Sequence, residues 1–482
     1  MSHIIKKIII FILIVTQITI SLNVIAFKGN IKTEESTNNI NFLWKKTVGD
    51  QNGNQPGGFG VLSNVATRAM GIYDNELYVG TQNFALLNIN SLFLKILASV
   101  QVFAYRLLEP TILSFLGARL LNLLIPLASF LNDGCELWKY NYTIDTWIPL
   151  VSNSASAILS PGFGDERNFV SSTITPFKGK LYFGTGKSSF VGCEIWEYDG
   201  QNLVKVVDKG FGNRFNSGAW SAIVYNDELW VGTMNWKQGS QIWKTYNGKD
   251  WEQVTLPGGN GFGSRLTNYI WAFCEYNSSL YVGTMSFNGC QIWSFKEDQW
   301  KKVELPGGDG FGEDQNIGVR NMVEYNDELW VTIASDFLLE IGACEIWKYD
   351  GYNWINVVGE EGIFRDGFND IYNKYGWSMM VDSDNSLWIG TASLQVFKDG
   401  LPGTSRGCEL WRLKDGQWTE IVGNSTNSEI GNGFNDQTNV GARSIIEYPD
   451  GSGQIWIGTL NLDIKNFKSY TGCEIWRRIN IN

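Results

Sequence analysis

The chain has 482 residues, a formal net charge of −11 and a single histidine, His3. The acidic excess argues against nucleic acid as a partner, because that binding depends on Lys and Arg side chains that neutralise phosphates. With so little histidine the chain cannot build a Ser-His-Asp or Cys-His nucleophile, or a histidine-ligated zinc or iron site. We therefore expect no cofactor and no metal, and any hydrolysis would have to use carboxylates.

Residues 1–26 are expected to be a signal peptide. Lys6 and Lys7 precede an apolar run that begins at Ile8, and the segment ends in an A-x-A-like cleavage site at Ala26. An uncleaved membrane anchor is the alternative. In either case the rest of the chain is predicted to lie outside the cytoplasm, secreted or at the cell surface, and association with the membrane remains open.

The rest of the chain is built from one repeated unit. A tetrad of the form Cys/Ser-Glu/Gln-Ile/Leu-Trp ends at Trp138, Trp196, Trp243, Trp293, Trp347, Trp411 and Trp476. A strand-like pentad such as Leu77-Tyr-Val-Gly-Thr81 lies upstream of each tetrad. Short β-rich segments in a fixed order, repeated at roughly 50 residues, are typical of a β-propeller.

Each unit is predicted to form four strands, A to D. Strand A follows a Gly-Phe-Gly or Gly-Phe-Asn loop, strand B is the pentad, strand C carries the tetrad, and strand D follows it. The chain stops after the seventh strand C, and Leu43–Val48 supplies the missing fourth strand, which leaves no unpaired terminal edge. The sequence therefore predicts an all-β, seven-bladed β-propeller over residues 41–482, closed by an N-terminal strand.

Two known repeats resemble this unit. The order Leu77-Tyr-Val-Gly-Thr81, then Leu137 to Trp147, looks like a kelch motif, with Gly-Thr where kelch has Gly-Gly. The hairpins between strands C and D are similar to the Asp-box of the bacterial-neuraminidase repeat, although they are one residue shorter and mostly lack its leading Ser/Thr. Both resemblances imply a propeller, and neither implies a function.

Blade 1 carries an insertion. Thr81 and Cys135 are 54 positions apart, whereas the equivalent Thr284 and Cys290 are six apart. Residues 85–132 have the apolar spacing of a helical hairpin, and charged side chains interrupt each run before the roughly 20 residues of a membrane span. A lid on the propeller, a membrane-interface anchor and a partner-binding surface all remain open as interpretations.

Six cysteines share one position of the repeat, and a seventh, Cys274, lies on strand A. Equivalent positions in adjacent blades should be roughly 10 Å apart, which is beyond the usual reach of a disulfide. We therefore expect free thiols that act as small buried hydrophobes.

The blades differ in chemistry at one position of strand A, which is occupied by Arg68, Ser172, Trp220, Trp271, Arg320, Trp377 and Arg443. This position is predicted to lie at the channel mouth, on the face with the D-to-A and B-to-C loops. Guanidinium groups suit an anion, and flat rings suit a sugar. The alternative is structural, with Trp filling the core between blades and each Arg paired to a nearby carbonyl or carboxylate. The candidate ligand-binding residues are Arg68, Trp220, Trp271, Arg320, Trp377 and Arg443, with no catalytic or metal-binding residue assigned.

These features favour an exported or cell-surface module that binds or scaffolds a protein, glycan or other anionic ligand. A carboxylate-dependent, glycan-active hydrolase or lyase is the alternative. The tetrad glutamates recur from blade to blade, which is typical of a structural device and not of an active site. A pair of carboxylates about 5 to 9 Å apart beside the candidate ligand-binding residues would favour the enzyme, and the lack of such a pair would favour binding.

Overall fold

A computed structural model describes residues 42–49, 55–84, 133–187, 190–337, 341–394, 397–398, 401–402, 405–464 and 469–481. These residues belong to one structural unit, Asn41–Asn482. Their regular secondary structure consists of β-strands and short 3₁₀ turns.

Repeats 1 to 6 each form strands in the order A, B, C, D, and repeat 7 forms strands A, B and C. The A strands are Asn64–Tyr73, Asn168–Phe177, Gly218–Tyr225, Thr267–Tyr276, Asn316–Tyr325, Asn373–Val381 and Asn439–Glu447. The B strands are Glu76–Asn83, Lys180–Lys187, Glu228–Met234, Ser279–Ser286, Glu328–Ser335, Leu387–Ser393 and Ile455–Asn461. The C strands are Leu137–Asn141, Ile195–Tyr198, Ile242–Thr245, Ile292–Lys296, Ile346–Tyr349, Leu410–Lys414 and Ile475–Asn480. The D strands of repeats 1 to 6 are Thr146–Val151, Leu203–Val207, Glu252–Gln253, Gln299–Lys302, Trp354–Val358 and Gln417–Val422.

The Gly-Phe-Gly or Gly-Phe-Asn loop before strand A anchors each repeat. In repeat 1, Gly58 and Phe59 both have φ of 58°, and the Phe59 ring stacks on Trp138 with centroids 4.6 Å apart. The same Phe–Trp stack occurs in all seven repeats at 4.5 to 5.3 Å. Asn64 donates to the Gly58 carbonyl at 3.1 Å and to Glu136 at 2.9 Å. The tetrad glutamate is thus a hydrogen-bond acceptor inside its own repeat.

The N-terminal strand Phe42–Gly49 pairs antiparallel with Ile475–Asn480, with Trp44 opposite Arg478. Lys46 also forms an ion pair with Glu474 at 2.7 Å. Repeat 7 therefore receives its fourth strand from the other end of the chain, where the strand count places it.

The pairing of the inner strands corrects the expected seven-bladed propeller. Strand B of each repeat pairs with its own strand A and also bridges to strand A of the next repeat, as Gln82 does to Val170. These bridges occur at all seven boundaries, so the A and B strands close into one 14-stranded antiparallel barrel and not into separate blades. The physical reason is that strand A carries β-bulges near its start, and a bulge bends the strand that contains it. The fold is therefore all-β and propeller-like, with strands C and D added beyond strand B.

The helical segments among the described residues are short. They are 3₁₀ turns of four residues: Gly57–Gly60, Pro161–Gly164, Asn260–Gly263, Asp309–Gly312, Asp366–Asn369 and Asn432–Asn435. The hairpin predicted for residues 85–132 lies outside the described residues. Within the described residues, no helix is long and apolar enough to cross a membrane.

The core lies between neighbouring repeats. One cluster, for example, joins Cys290 and Ile292 of repeat 4 to Val319 and Leu329 of repeat 5. All seven cysteines are buried and free, as their spacing predicts. Burial raises the pKa of these thiols, to about 12 at Cys193.

Candidate functional site

The candidate position is the unpaired residue of a β-bulge in every repeat. In repeat 1, pairing between strands A and B passes from Thr67 to Ala69, which leaves Arg68 without a partner in the ladder. The same skip occurs at Ser172, Trp220, Trp271, Arg320, Trp377 and Arg443. Because a bulge re-aims the extra side chain, seven unrelated side chains can turn toward one place.

The six candidate residues lie together around one cavity of about 300 Å³, which is lined by strand A of all seven repeats. We call the strand-A position that these six residues share with Ser172 the ring position. The other lining residues follow it in strand A by one to three residues, as far as Met70, Thr175 and Met379. No described residue of the lining precedes the ring position in its strand. The cavity therefore extends from the ring toward the A-to-B turns.

An apolar layer covers the opposite side of the ring. Tyr269 and Tyr375, two positions before Trp271 and Trp377, are buried, and burial raises the pKa of both hydroxyls. Tyr375 packs in a cluster with Leu394 and other side chains from several repeats. These tyrosines lie on the side of the ring where strand A begins, whereas the described lining of the cavity lies on the side where strand A ends. The described cavity therefore faces away from the mouth that the sequence predicts.

Each indole of the ring has a guanidinium over it. The Cζ atom of Arg68 reaches past repeat 2 to lie 4.8 Å from the ring centroid of Trp220, and that of Arg443 lies 4.0 Å from Trp377. Arg320 lies 5.1 Å from Trp271 and 5.7 Å from Trp377. These cation–π contacts hold the guanidinium groups in place, and they occupy indole faces that were expected to stack on a sugar.

The three arginines make few other contacts. Arg68 donates to the Trp220 carbonyl at 3.4 Å and Arg443 to the Gln82 side chain at 3.5 Å, both at the long limit for a hydrogen bond. The Nε atoms of Arg68 and Arg443 are buried, and no described residue accepts a hydrogen bond from them. Within the described residues, none of the three guanidinium groups forms an ion pair with a carboxylate. A carboxylate, one of the two kinds of partner that the structural interpretation allows, is thus missing from this part of the chain, and the contact of Arg68 with a carbonyl is long.

The surroundings disfavour these three positive charges. Burial lowers the pKa of Arg320 to about 10. Burial, together with repulsion from the other guanidinium groups, holds the pKa of Arg68 and Arg443 well below the ordinary value. Arg320 and Arg443 are each 7% exposed, while Arg68 keeps more of its surface open to the cavity. Because a guanidinium is not deprotonated in proteins, the cluster stays charged, and no described carboxylate forms an ion pair with it.

Several residues that shape the site are not among the candidates from the sequence. A β-carbon on Gly318 would approach Trp271 Cζ3 to 1.9 Å, and one on Gly441 would approach Trp377 Cζ3 to 2.5 Å, so each glycine makes room for an indole. Ser172 occupies the ring position of repeat 2, and its hydroxyl donates to the Ala219 carbonyl. The signal for these residues is a small side chain at or two positions before the ring position.

No carboxylate is among the described residues that line the cavity. Glu447, further along strand A, accepts hydrogen bonds from Ser383 and Gly453. Asp336, whose charge adds to burial in raising the pKa of Tyr375, is likewise outside the lining. In the part of the chain that is described, no three His, Cys, Asp or Glu side chains are placed to hold a metal ion.

Comparisons with known proteins show likeness in structure alone. No family model and no curated protein matches the sequence. Similar solved structures include the extracellular domain of a putative one-component system from B. thetaiotaomicron, with 12% identity, 86% of this chain and 38% of that chain covered, and a TM-score of 0.45. A GH74 enzyme from Niastella koreensis has 14% identity, 87% and 54% coverage, and a TM-score of 0.47. The WD40 β-propeller domain of Doa1 has 10% identity, 86% and 93% coverage, and a TM-score of 0.41.

The chain spans less than two thirds of the length of the first two of these proteins, with 38% and 54% covered. At such TM-scores the likeness assigns neither a ligand nor an activity to this chain.

Proposed function

We propose that this protein is an exported binding module whose axial cavity holds a small anionic ligand. The observation that carries this proposal is the convergence of Arg68, Arg320 and Arg443 on one cavity without an ion pair to a described carboxylate. Leaving a buried charge unpaired costs on the order of several kcal/mol, so buried charges are normally paired. An anion in the cavity supplies the missing partner, and guanidinium groups suit carboxylate and phosphate.

The composition of the lining supports binding over catalysis. A carboxylate-dependent glycan hydrolase needs two carboxylates about 5 to 9 Å apart at the bound sugar, and the described lining contains none. The indole faces of Trp220, Trp271 and Trp377 carry guanidinium groups. This arrangement supports recognition of a negative charge more than stacking on a neutral sugar ring.

The size of the cavity supports a small ligand. At about 300 Å³ it is at the lower end of the range of small-molecule pockets. A protein partner could place no more than one side chain or a terminal carboxylate inside it. Export rests on residues 1–26, and N-terminal sequencing of the exported protein checks cleavage after Ala26.

The structural interpretation and the binding proposal predict opposite effects on stability. A base whose pKa is depressed in the folded state destabilises that state at neutral pH, because its charged form is disfavoured there. Arg443→Met keeps an aliphatic stem over Trp377 and removes the charge. If Arg443 belongs to an anion site, this variant should be at least as stable as the natural protein in the absence of ligand. If Arg443 is instead a paired side chain of the core, the variant should have a lower melting temperature.

The test is thermal unfolding of the full chain in sodium citrate, phosphate or chloride at equal ionic strength. We expect the natural protein to gain stability from citrate or phosphate, and Arg443→Met to lose most of that gain. A charged hydrogen bond contributes about 1.5 to 3 kcal/mol, so affinity should fall about tenfold or more. Arg365→Met is the matched control, because Arg365 is exposed and remote from the cavity lining. A sharply lower melting temperature of Arg443→Met with unchanged anion dependence would reject the proposal.

A further inference from the structure

We infer that the ligand of the axial cavity is a compact oxyanion that carries two or three negative charges. This inference rests on the proposed anion site and specifies the class of its ligand. It follows from the number of guanidinium groups, from their free donors and from the nature of the remaining lining.

The number of guanidinium groups in the cavity indicates how many negative charges the ligand carries. Arg68, Arg320 and Arg443 come from repeats 1, 5 and 7, and all three line the same cavity. Repulsion among them is strong enough for Arg320 to lower the pKa of both Arg68 and Arg443. A monovalent anion would leave two positive charges uncompensated in the cavity. A divalent or trivalent anion removes most of the repulsion.

The guanidinium N–H donors without an acceptor among the described residues indicate which chemical groups the ligand carries. Among the described residues, the Nε–H groups of Arg68 and Arg443 have no acceptor, and the side chain of Arg320 makes no hydrogen bond. Planar guanidinium forks match the paired oxygens of carboxylate and phosphate groups. Donors that approach from three repeats therefore fit a ligand with oxyanion groups on more than one side.

The rest of the lining favours a compact and polar molecule. Besides the ring, it includes the hydroxyl or amide side chains of Ser172, Asn321 and Ser444. Of the aromatic side chains in the lining, the three indoles already contact guanidinium groups, which leaves Phe273 as the other aromatic surface.

The test compares acetate, succinate and propane-1,2,3-tricarboxylate, which carry one, two and three carboxylates. Their dissociation constants for the full chain are measured by calorimetry at constant ionic strength, with glycerol as the uncharged control. We expect affinity to rise about tenfold or more with each added carboxylate, which is the effect of one charged hydrogen bond. Arg443→Met should bring the tricarboxylate close to the affinity that the natural protein has for succinate.

The controls separate this inference from the proposed function. Arg68→Met serves as a second variant if Arg443→Met does not fold, and Arg365→Met should change nothing. Equal affinities for acetate and the tricarboxylate would overturn the multivalent class and leave anion binding standing. If no anion binds, or if Arg365→Met loses as much affinity as Arg443→Met, both the inference and the proposed anion site are overturned.

Discussion

The indole of Trp271 lies so close to Gly318 of the next repeat that a β-carbon on that glycine would approach it to 1.9 Å. The same indole carries Arg320 at 5.1 Å. The position of one guanidinium group in the cavity thus depends on a missing side chain on a neighbouring strand.

Gly318→Ala should therefore displace Trp271 and with it Arg320. We expect a loss of stability of about 1 to 3 kcal/mol, as for other overpacked core positions, and weaker anion binding. Gly423→Ala is the control, because a β-carbon there meets the side chain of Glu420 and no indole of the cavity. Melting temperature and tryptophan fluorescence of the two variants are compared. Identical behaviour of both would mean that Trp271 moves freely.

Two tetrad glutamates should make stability depend on pH. Burial raises the pKa of Glu136 to about 7 and that of Glu409 to about 8. The ordinary value of 4.5 applies in the unfolded chain, so the folded state favours the protonated acids. Their contribution is fully present below pH 4.5 and is lost as the pH rises through 7 to 8. The melting temperature should therefore fall between pH 5.5 and pH 8.5.

Glu136→Gln tests the origin of this dependence. Gln241 already occupies the equivalent position in repeat 3, where it accepts from Trp243 at 3.1 Å and from Asn216 at 2.7 Å. The variant should gain about 1 to 3 kcal/mol at pH 8.5, since one pKa unit corresponds to about 1.4 kcal/mol, and little at pH 5.

Glu194→Gln is the control of opposite sign. Although burial opposes the ionised form, hydrogen bonds from Lys187 and Asn168 keep the pKa of Glu194 below its ordinary value. The variant should therefore lose stability at neutral pH. Equal effects of Glu136→Gln and Glu194→Gln at pH 8.5 would contradict the assignment.

The N-terminal strand should be needed for closure. Besides its pairing with Ile475–Asn480, it contributes the Lys46–Glu474 ion pair and a hydrogen bond from Trp44 to Glu429. A chain that starts at Gly49 should melt at a lower temperature and aggregate as its concentration rises, because a strand edge is exposed. A chain that starts at Asn41 is the reference. Indistinguishable melting and light scattering of the two would show that closure does not depend on this strand.

Much of the repeat frame could be predicted from the sequence. Alternation and turn residues place the strands, and the strand count identifies Leu43–Val48 as the strand that completes the last repeat. The closed barrel could not be predicted, since bridges such as Gln82 to Val170 depend on how far a bulge bends strand A. Periodicity shows which residues alternate, but it does not show where the ladder skips a residue.

The candidate ring was found because the repeats diverge there in chemistry. Its surroundings were not predictable, because Arg68 contacts Trp220 two repeats away, past the ring position of repeat 2 that Ser172 occupies. The side of the ring on which the cavity lies also depends on packing. The buried side chains of Tyr269 and Tyr375 fill the other side of the ring. Their positions in the sequence do not show how far these side chains extend into the centre of the barrel.

The buried, unpaired cysteines have a practical consequence. With every thiol inaccessible and its ionisation disfavoured, as at Cys193 and Cys408, the folded protein should resist alkylating reagents, which react with the thiolate. Stability should also be the same in oxidising and reducing buffer. Labelling by a thiol reagent would then proceed only from opened molecules, and each repeat would carry its own reporter of opening except repeat 3, where Ser240 stands in place of the cysteine. Mass spectrometry of partially labelled protein could thus show whether the ring opens first where the two chain ends meet.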